Sequence, residues 1–342
     1  MRFDLTDEQQ AIRETVDRIF AERLTPERTE ELVREESADL ELWDELCELG
    51  FAGLAVAEEH GGQGLGLLEL GLVCESAGAA LAPVPLLANA AAGLVLEAAA
   101  DQATRERLLP GIADGSAPGS VALIRDGRDR LSIDPERPGP LLVVERERAA
   151  VAEGGEAPPA RPTIDLMRRY REVSAGAPAS PLPGDAAPAI DRAEILLAAE
   201  LTGVAQRALD LAVAYAGERH QFGRPIGSFQ GVSHRCAQIM LEVESARSIW
   251  RYASWVDGAE PEWLGLAASS AKVAAASAAV SATTGAIQVL GGIGFTWEHD
   301  IHRYLRRAKV ACHTFGDVTS HRRRIASHLR RADDAALAAA GS

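Results

Sequence analysis

Apolar residues recur every three or four positions through the first third of the chain. The first series follows residues 6–9, where Thr and Gln three positions apart form a capping-box pattern. A second series runs through residues 42–49 and stops at Gly50, a residue common just after the last helical turn. This periodicity predicts a helical N-terminal domain over residues 1–118. The apolar positions of the first series are Ile12, Val16, Ile19, Phe20 and Leu24.

From residue 119 the pattern changes to short apolar runs, such as 121–124 and 141–144, separated by Pro, Gly and Asp. Short apolar runs with turn residues between them are typical of strands. The Pro-rich passage 175–188 predicts a linker. Residues 119–188 are therefore predicted to form a small, irregular β segment followed by that linker.

Long helical series return after the linker. Steps of four and three place one apolar seam along a helix, as in an antiparallel bundle. The pattern predicts a C-terminal four-helix-bundle domain over residues 189–333 and a frayed, Ala-rich tail over 334–342. The predicted fold is mainly α with a small β segment. The clearest seam consists of Val232, Cys236, Ile239, Val243, Ala246, Trp250 and Ala253.

Composition and charge indicate which kinds of partner to expect and in which cell compartment the protein lies. A formal net charge of −15 over 342 residues disfavours nucleic acid and anionic membrane surfaces, which attract basic proteins. The N-terminus lacks the apolar core of a secretory signal. The uncharged runs 77–96 and 273–297 contain Pro or consist of small residues, which favours packed helices over membrane spans. We predict a cytoplasmic protein that binds neither nucleic acid nor membrane.

The four cysteines lie far apart, without the paired spacing of a zinc site. We predict reduced, structural thiols and no metal centre.

Four segments carry a resemblance to a known family. Residues 43–54 (WDELCELGFAGL) and 58–65 (EEHGGQGL) resemble the N-terminal signature of the acyl-CoA dehydrogenases. Residues 215–226 (YAGERHQFGRPI), followed by Phe-Gln at 229–230, resemble the turn by which that family contacts its flavin. Residues 288–295 (QVLGGIGF) resemble its Gly-Gly turn near the flavin pyrophosphate. The resemblance covers most of the chain and implies an FAD-dependent enzyme acting on an acyl-CoA thioester, with an electron-transfer flavoprotein as acceptor.

The resemblance also implies which residues contact FAD. A pyrophosphate needs a fixed cation and closely approaching backbone amides, which an arginine and a glycine pair at a helix end supply. Alone, Arg219 could form a surface ion pair and the glycines a plain helix cap, but the combination favours flavin contact. The implied cofactor-binding residues are Arg219, Gln221, Phe222, Gln288, Gly291 and Gly292.

The implied reaction, α,β-dehydrogenation, needs a carboxylate base beside the flavin. Matching residues 309–326 to the family puts Phe315 at the usual glutamate position, and the alternative base position of some relatives falls on Ala193. Neither side chain can accept a proton. A shift of one residue on a helix rotates a side chain by about 100°, so we expect Glu194 to point elsewhere. The nearby substitutes are Glu194, His313 and Asp317.

Asp191 and Arg192 stand where relatives contact the CoA moiety. The arginine that usually follows, at position 194, is a glutamate here, so the resemblance implies substrate contact only weakly.

The middle segment lacks the family's Thr-Glu-Pro, Gly-Ser-Asp and Trp-Ile-Thr-like passages beside the flavin ring, and only residues 121–127 stand there. The resemblance implies that the chain keeps the half of the flavin site that family members donate to a neighbouring subunit. This combination resembles the shortened subunits of heteromeric actinobacterial steroid-degrading acyl-CoA dehydrogenases and implies a second, dehydrogenase-like partner subunit. Two alternatives stay open: a self-sufficient homomer with a displaced base, and a non-catalytic acyl-CoA-binding or scaffold protein.

Overall fold

The structure, a computed structural model, describes residues 4–124, 131–133, 136–152, 160–173 and 179–340. Parts of the predicted middle segment (125–130, 134–135, 153–159 and 174), the linker (175–178) and the tail (341–342) lie outside these ranges. The helices are α1 Asp7–Arg23, α2 Pro26–Glu35, α3 Leu40–Glu48, α4 Leu67–Ala80, α5 Leu86–Ala99, α6 Gln102–Ala113, α7 Ala187–Glu218, α8 Gln230–Ala259, α9 Leu264–Leu290, α10 Ile301–Ala311 and α11 Val318–Ala340.

The strands are short. They are β1 Ser120–Leu123, β2 Leu131–Ile133, β3 Leu141–Glu145, β4 Arg148–Ala152, β5 Ala160–Arg161, β6 Tyr170–Glu172, β7 Ser180–Pro181, β8 His220–Gln221 and β9 Arg224–Pro225. With 67% helix and 9% strand, the predicted mainly α fold is confirmed.

The predicted start of α1 is confirmed in detail. The backbone N–H of Gln9 donates to Oγ1 of Thr6 at 3.2 Å, and the side chain of Gln9 accepts from the backbone N–H of Thr6 at 2.9 Å. These reciprocal bonds satisfy two amides that the helix leaves free. Gly50, at φ 80°, follows α3 in the left-handed conformation that glycine adopts without steric cost.

The middle segment forms a seven-stranded sheet in the order β5-β6-β2-β1-β3-β4-β7. Strands β1 and β3 pair in parallel, with Ser120 opposite Leu141, and the other recorded pairs are antiparallel. Strand β7 lies inside the passage predicted as a linker and pairs with β4. Pro181 is tolerated there because β7 is an edge strand.

Helices α4 and α7 join the two helical domains through a backbone contact. A methyl group added at Gly203 would lie 1.8 Å from the carbonyl oxygen of Glu75, and one added at Gly78 would lie 2.0 Å from that of Glu200. Only glycine allows the two helices to come this close. The contact fixes α7, which runs the length of the C-terminal domain.

A buried ionic cluster attaches the sheet segment to the bundle. Nε of Arg307 on α10 lies 2.5 Å from Asp165, and Nη2 of Arg168 lies 2.6 Å from Glu200 on α7. Arg307 also lies 3.4 Å from Glu200. Burial alone would raise the pKa of Glu200, but the charges and hydrogen bonds of the two arginines leave it lowered. The cluster therefore stays charged and holds the three elements together.

One stretch, Pro261–Phe295, is long and apolar enough by length and composition to cross a membrane. Within the fold, 61% of its most apolar window is buried, and α9 packs against α7, α8, α10 and α11. This burial is that of a bundle's core helix.

Candidate flavin half-site and the family base positions

The first predicted flavin turn is a short hairpin between α7 and α8. Arg219 ends α7, and β8 pairs with β9 around Phe222 and Gly223, whose φ angles are 53° and 78°. Phe222 is 92% exposed, and its ring lies edge-to-face with Phe229, with centroids 6.1 Å apart. The guanidinium of Arg224 on β9 lies 4.1 Å from the centroid of Phe229, the residue before α8. The hairpin therefore displays an aromatic ring and exposed cationic side chains to solvent.

The second predicted turn follows α9. Gln288 is exposed, and Gly291 has φ 64° and ψ −133°, a conformation that strains any residue with a Cβ. A methyl group added at Gly291 or Gly292 would meet nothing within 4 Å. The backbone is therefore open to close approach from outside the chain. Phe295, just beyond, is 80% exposed.

The fold brings these two turns to one end of the bundle. Helix α8 begins directly after the hairpin, and a methyl group added at Gly285, near the end of α9, would lie 2.7 Å from Nε of Arg235, near the start of α8. The six predicted cofactor residues thus belong to one end of the domain. Trp297, which follows α9 as Phe295 does, is 65% exposed and is the third exposed aromatic ring beside these turns, after Phe222 and Phe295.

The residues at this end have the chemistry that a bound FAD requires. The exposed guanidinium of Arg219 suits a phosphate, and the open glycine turn allows backbone amides to reach it. Large exposed aromatic surfaces on a folded chain mark an interaction site. We call the set Arg219, Gln221, Phe222, Gln288, Gly291 and Gly292 the flavin half-site.

The family base positions lie at the other end of α7. Ala193 is fully buried near the start of that helix, about 39 Å along its axis from Arg219. Phe315 is 7% exposed in the turn between α10 and α11 and has a positive φ of 56°. A bulky residue in this conformation is uncommon and must be held there by its surroundings.

Two buried side chains hold the turn. Nζ of Lys272 donates to the carbonyl oxygens of Ala311, Cys312 and Gly316 at 3.2, 3.1 and 3.2 Å. Nε2 of His321 lies 3.1 Å from the carbonyl oxygen of Phe315. Neither residue was predicted from the sequence. Lys272 is the sole charged residue of α9, and that isolation was the available signal.

Glu194 is fully buried and faces a charged network rather than an open cavity. Nη1 of Arg324 donates to its carboxylate at 3.0 Å, and Nδ1 of His321 lies 3.8 Å from it. Asp191 accepts from the other terminal nitrogen of Arg324. Burial lowers the pKa of Arg324, but the two carboxylates outweigh burial and leave it raised. Glu194 and Asp191 therefore balance a partly buried cation.

The remaining predicted residues also have local partners. Asp317 accepts from the backbone N–H of Ser320 at 2.7 Å at the start of α11, and this bond lowers the pKa of its carboxyl. Nε of Arg192 lies 2.7 Å from Asp257. His313 is exposed beside Phe315. Asp317 and His313 interact electrostatically beside Phe315, whereas Glu194 is engaged with Arg324.

A cavity of about 310 Å³, which we call the Phe315 cavity, lies between the sheet and the turn after α10. The hydroxyls of Tyr170 and Thr314 in its wall lie 3.2 Å apart and bond to each other. Its lining is mainly apolar and comprises Val121, Leu123, Leu131, Ile133, Thr163, Tyr170, Lys309, Val310, His313, Thr314, Phe315 and Gly316.

The cysteines Cys47, Cys74, Cys236 and Cys312 are free thiols. Burial raises the pKa of Cys47 to about 12, so this thiol is protonated at neutral pH. Within the described ranges, no group of three or more His, Cys, Asp or Glu side chains is placed to hold a metal ion.

Both helical domains match family models. Residues 6–116 match the acyl-CoA dehydrogenase N-terminal domain, and residues 186–330 match the acyl-CoA dehydrogenase C-terminal domain. The acyl-CoA dehydrogenase IpdE2 of Mycolicibacterium smegmatis is 34% identical over 327 residues, covering 95% of this chain and 100% of that protein. IpdE2 of Mycobacterium tuberculosis is 35% identical over 337 residues, covering 94% of this chain and 98% of that protein.

Solved structures give the same answer. The ChsE4–ChsE5 complex from Mycobacterium tuberculosis superposes with a TM-score of 0.83 at 26% identity, covering 96% of this chain and 99% of that one. The Tcur3481–Tcur3483 steroid acyl-CoA dehydrogenase superposes with a TM-score of 0.84 at 28% identity, again covering 96% of this chain and 99% of that one. The chain belongs to the acyl-CoA dehydrogenase family, whose members are FAD-dependent oxidoreductases acting on CH–CH donors. The resemblance drawn from the sequence is confirmed.

Proposed function

We propose that this chain is one subunit of a hetero-oligomeric, FAD-dependent acyl-CoA dehydrogenase and contributes its flavin half-site to a cofactor held mainly by a partner subunit. One observation carries the proposal: the exposed half-site lies about 39 Å along α7 from Ala193, so a second chain must complete the site. Because Ala193 and Phe315 fill both family base positions, that second chain must differ from this one. The similarity to proteins described as a two-component complex and a steroid dehydrogenase supports it.

In this proposal each side chain of the half-site has a role that follows from its charge and shape. Arg219 and the amides of Gly291 and Gly292 would bind the pyrophosphate, Gln288 and Gln221 would orient the cofactor by hydrogen bonds, and Phe222 would pack against an apolar part of the cofactor and exclude water. Bound FAD supplies the hydride acceptor of the family reaction. The partner supplies the carboxylate base, because Phe315 and Ala193 offer none.

The remaining assignments rest on similarity. We propose a steroid side-chain acyl-CoA thioester as substrate, an electron-transfer flavoprotein as acceptor and a cytoplasmic location. The self-sufficient homomer gains no support from Glu194, which is fully buried against Arg324.

The test is the visible spectrum of the purified chain, alone and co-expressed with a full-length dehydrogenase homologue from the same genome, with mass measured by light scattering. We expect flavin absorbance only in the mixed complex, near one flavin per pair of unlike chains. The variant Arg219→Gln should lower the flavin content of the complex several-fold. Arg323→Gln, which removes an exposed arginine of α11, is the matched control and should leave it unchanged. Stoichiometric FAD and acyl-CoA oxidation in the chain alone would refute the proposal.

A further inference from the structure

A second cavity lies between the N-terminal helices and the bundle. Its volume is about 550 Å³, and helices α1, α4, α7 and α10 contribute to its wall. Gly203 and Glu75, whose close contact joins α7 to α4, both line it. None of its lining residues lines the Phe315 cavity or belongs to the flavin half-site. We call it the α1–α7 cavity.

The floor and the mouth of this cavity differ in polarity. Phe20 and Leu81 are buried and give the floor apolar surface. Ala21, Arg207 and Asp210 also line the cavity but are exposed, so they lie at its mouth. A ligand that fills the cavity therefore needs both an apolar part and a charged part.

Most charged groups of the wall are paired with one another. Nε of Arg13 lies 3.7 Å from Asp17, and Nη1 of Arg303 lies 3.1 Å from Asp300. These groups need no counter-charge from a ligand.

The carboxylate of Glu75 is an exception. Its Oε1 accepts from Nε of Arg247 at 2.8 Å, whereas its Oε2 is buried and has no hydrogen-bond partner among the described residues. A buried oxygen without a donor costs free energy, which a ligand's N–H group recovers. A cationic N–H group recovers most, because charge-assisted hydrogen bonds are the stronger ones.

Arg207 is the second exception. Within the part of the chain that the structure describes, it forms no ion pair. Asp210, one turn later on α7, instead accepts from Nε2 of Gln206 at 2.8 Å. Burial raises the pKa of the Tyr304 hydroxyl, and the charge of Arg207 opposes this shift, so the guanidinium lies near Tyr304 in the wall. Arg207 is therefore available to an anionic group.

Glu75 and Arg207 lie close enough for one small ligand to reach both. Glu75 contacts Gly203, and Arg207 follows Gly203 by about 6 Å along α7. A cavity of about 550 Å³ has room for roughly eighteen non-hydrogen atoms, taking about 30 Å³ for each water-sized group. This space admits a small metabolite but cannot enclose a coenzyme A thioester.

We propose that the α1–α7 cavity binds a free α-amino acid with an apolar side chain, its ammonium group at Glu75, its carboxylate at Arg207 and its side chain against the apolar floor. A zwitterion supplies both counter-charges and adds no net charge to the cavity. A quaternary ammonium ion lacks the N–H group that Oε2 of Glu75 requires. The site needs neither flavin nor a partner subunit, so it stands apart from the proposed dehydrogenase function.

The test is calorimetric titration of the full-length chain with L-phenylalanine and three derivatives. L-phenylalaninamide lacks the carboxylate, N-acetyl-L-phenylalanine lacks the ammonium group, and the N,N,N-trimethyl derivative keeps the positive charge without an N–H. We expect one L-phenylalanine per chain. The amide should bind about threefold more weakly, because Arg207 is exposed, and the other two at least about tenfold more weakly.

A charge variant tests the role of Arg207. Arg207→Gln should weaken L-phenylalanine binding about threefold and leave binding of the amide unchanged. Arg322→Gln, which removes an exposed cation on α11 that does not line the cavity, is the matched control and should bind as the parent does.

A size variant tests the location. Ala21→Trp fills the mouth at an exposed position of α1, so we expect a folded chain, checked by circular dichroism, that binds L-phenylalanine at least tenfold more weakly. Ala326→Trp, at an exposed position of α11, is its control and should bind normally. The proposal is overturned by any of four results: no binding of millimolar L-phenylalanine, equal affinity for all four compounds, equal effects of the Arg207 and Arg322 variants, or unchanged binding in Ala21→Trp.

Discussion

Nζ of Lys272 lies 3.2 Å from the carbonyl oxygen of Gly316, directly after the strained residue Phe315. The same ammonium group bonds to two further carbonyls at the end of α10, so one buried cation closes that helix and shapes the turn. A cation at the C-terminus of a helix also faces the negative end of its dipole. The geometry of the family base position therefore depends on a side chain from another helix.

We expect Lys272→Met to lower the free energy of unfolding by about 3 kcal/mol, because three carbonyls, one of them in a fully buried bond, lose their donor while the apolar volume is kept. Urea denaturation followed by far-UV circular dichroism measures the change. Arg322→Met, at an exposed site on α11, is the control and should shift the free energy by less than about 0.5 kcal/mol. Equal stabilities of the two variants would contradict the assigned role of Lys272.

The α4–α7 crossing gives a second prediction. Gly203→Ala places a methyl group against the carbonyl oxygen of Glu75 and should destabilise the chain by about 3 kcal/mol. Gly217→Ala, in the last turn of the same helix, meets nothing within 4 Å and should be neutral or stabilising by up to about 1 kcal/mol. Thermal unfolding of both variants separates helix propensity from the steric contact. Similar transition temperatures would mean that the two helices lie farther apart.

Glu200 predicts a pH dependence. Its pKa is lowered in the folded chain, so its ion pairs stabilise the fold above the unfolded-state pKa of about 4.3 and this contribution is lost as pH falls through the folded-state pKa. Glu200→Gln should cost about 3 kcal/mol at pH 7, because Arg168 and Arg307 lose a buried anion. The difference from the parent should shrink below about pH 4. Glu48→Gln, at an exposed site, serves as control in urea titrations at each pH, and a pH-independent deficit in Glu200→Gln would contradict the assignment.

In the mixed complex, we expect substitution of Glu194 to lower stability but not turnover, and substitution of Phe222 to lower flavin content but not stability. Glu194→Gln removes one anion beside Arg324 and should lower stability by about 2 kcal/mol without changing turnover per bound flavin. Phe222→Ala should leave stability within about 0.5 kcal/mol, because the ring is 92% exposed, while flavin content falls. Flavin absorbance, turnover and urea denaturation on the same samples distinguish the two. A hundredfold loss of turnover in Glu194→Gln at unchanged flavin content would instead identify a displaced base.

The local elements were readable from the sequence because their signals are local. The Thr6 and Gln9 pair predicted the start of α1, and the seam from Val232 to Ala253 follows α8, whose buried positions include Ile239, Val243 and Trp250. The assigned domain boundaries stay predictions, although β7 shows that the predicted linker contributes an edge strand. A two-residue strand is too short to show a periodicity of its own. Its pairing with β4 depends on a segment distant in sequence, so a local pattern could not predict it.

By itself, the sequence determined the order of the helical, β and helical segments, the two glycine-containing turns of the proposed flavin half-site and the absence of a carboxylate at positions 193 and 315. These follow from residue types at short spacing, and short-range sterics and hydrogen bonds govern them. Only the tertiary structure decided that Glu194 faces Arg324, that Lys272 closes the turn at Gly316 and that the half-site lies far from Phe315. Each depends on contacts between helices distant in sequence, because packing and burial, rather than local propensity, determine which charged groups meet.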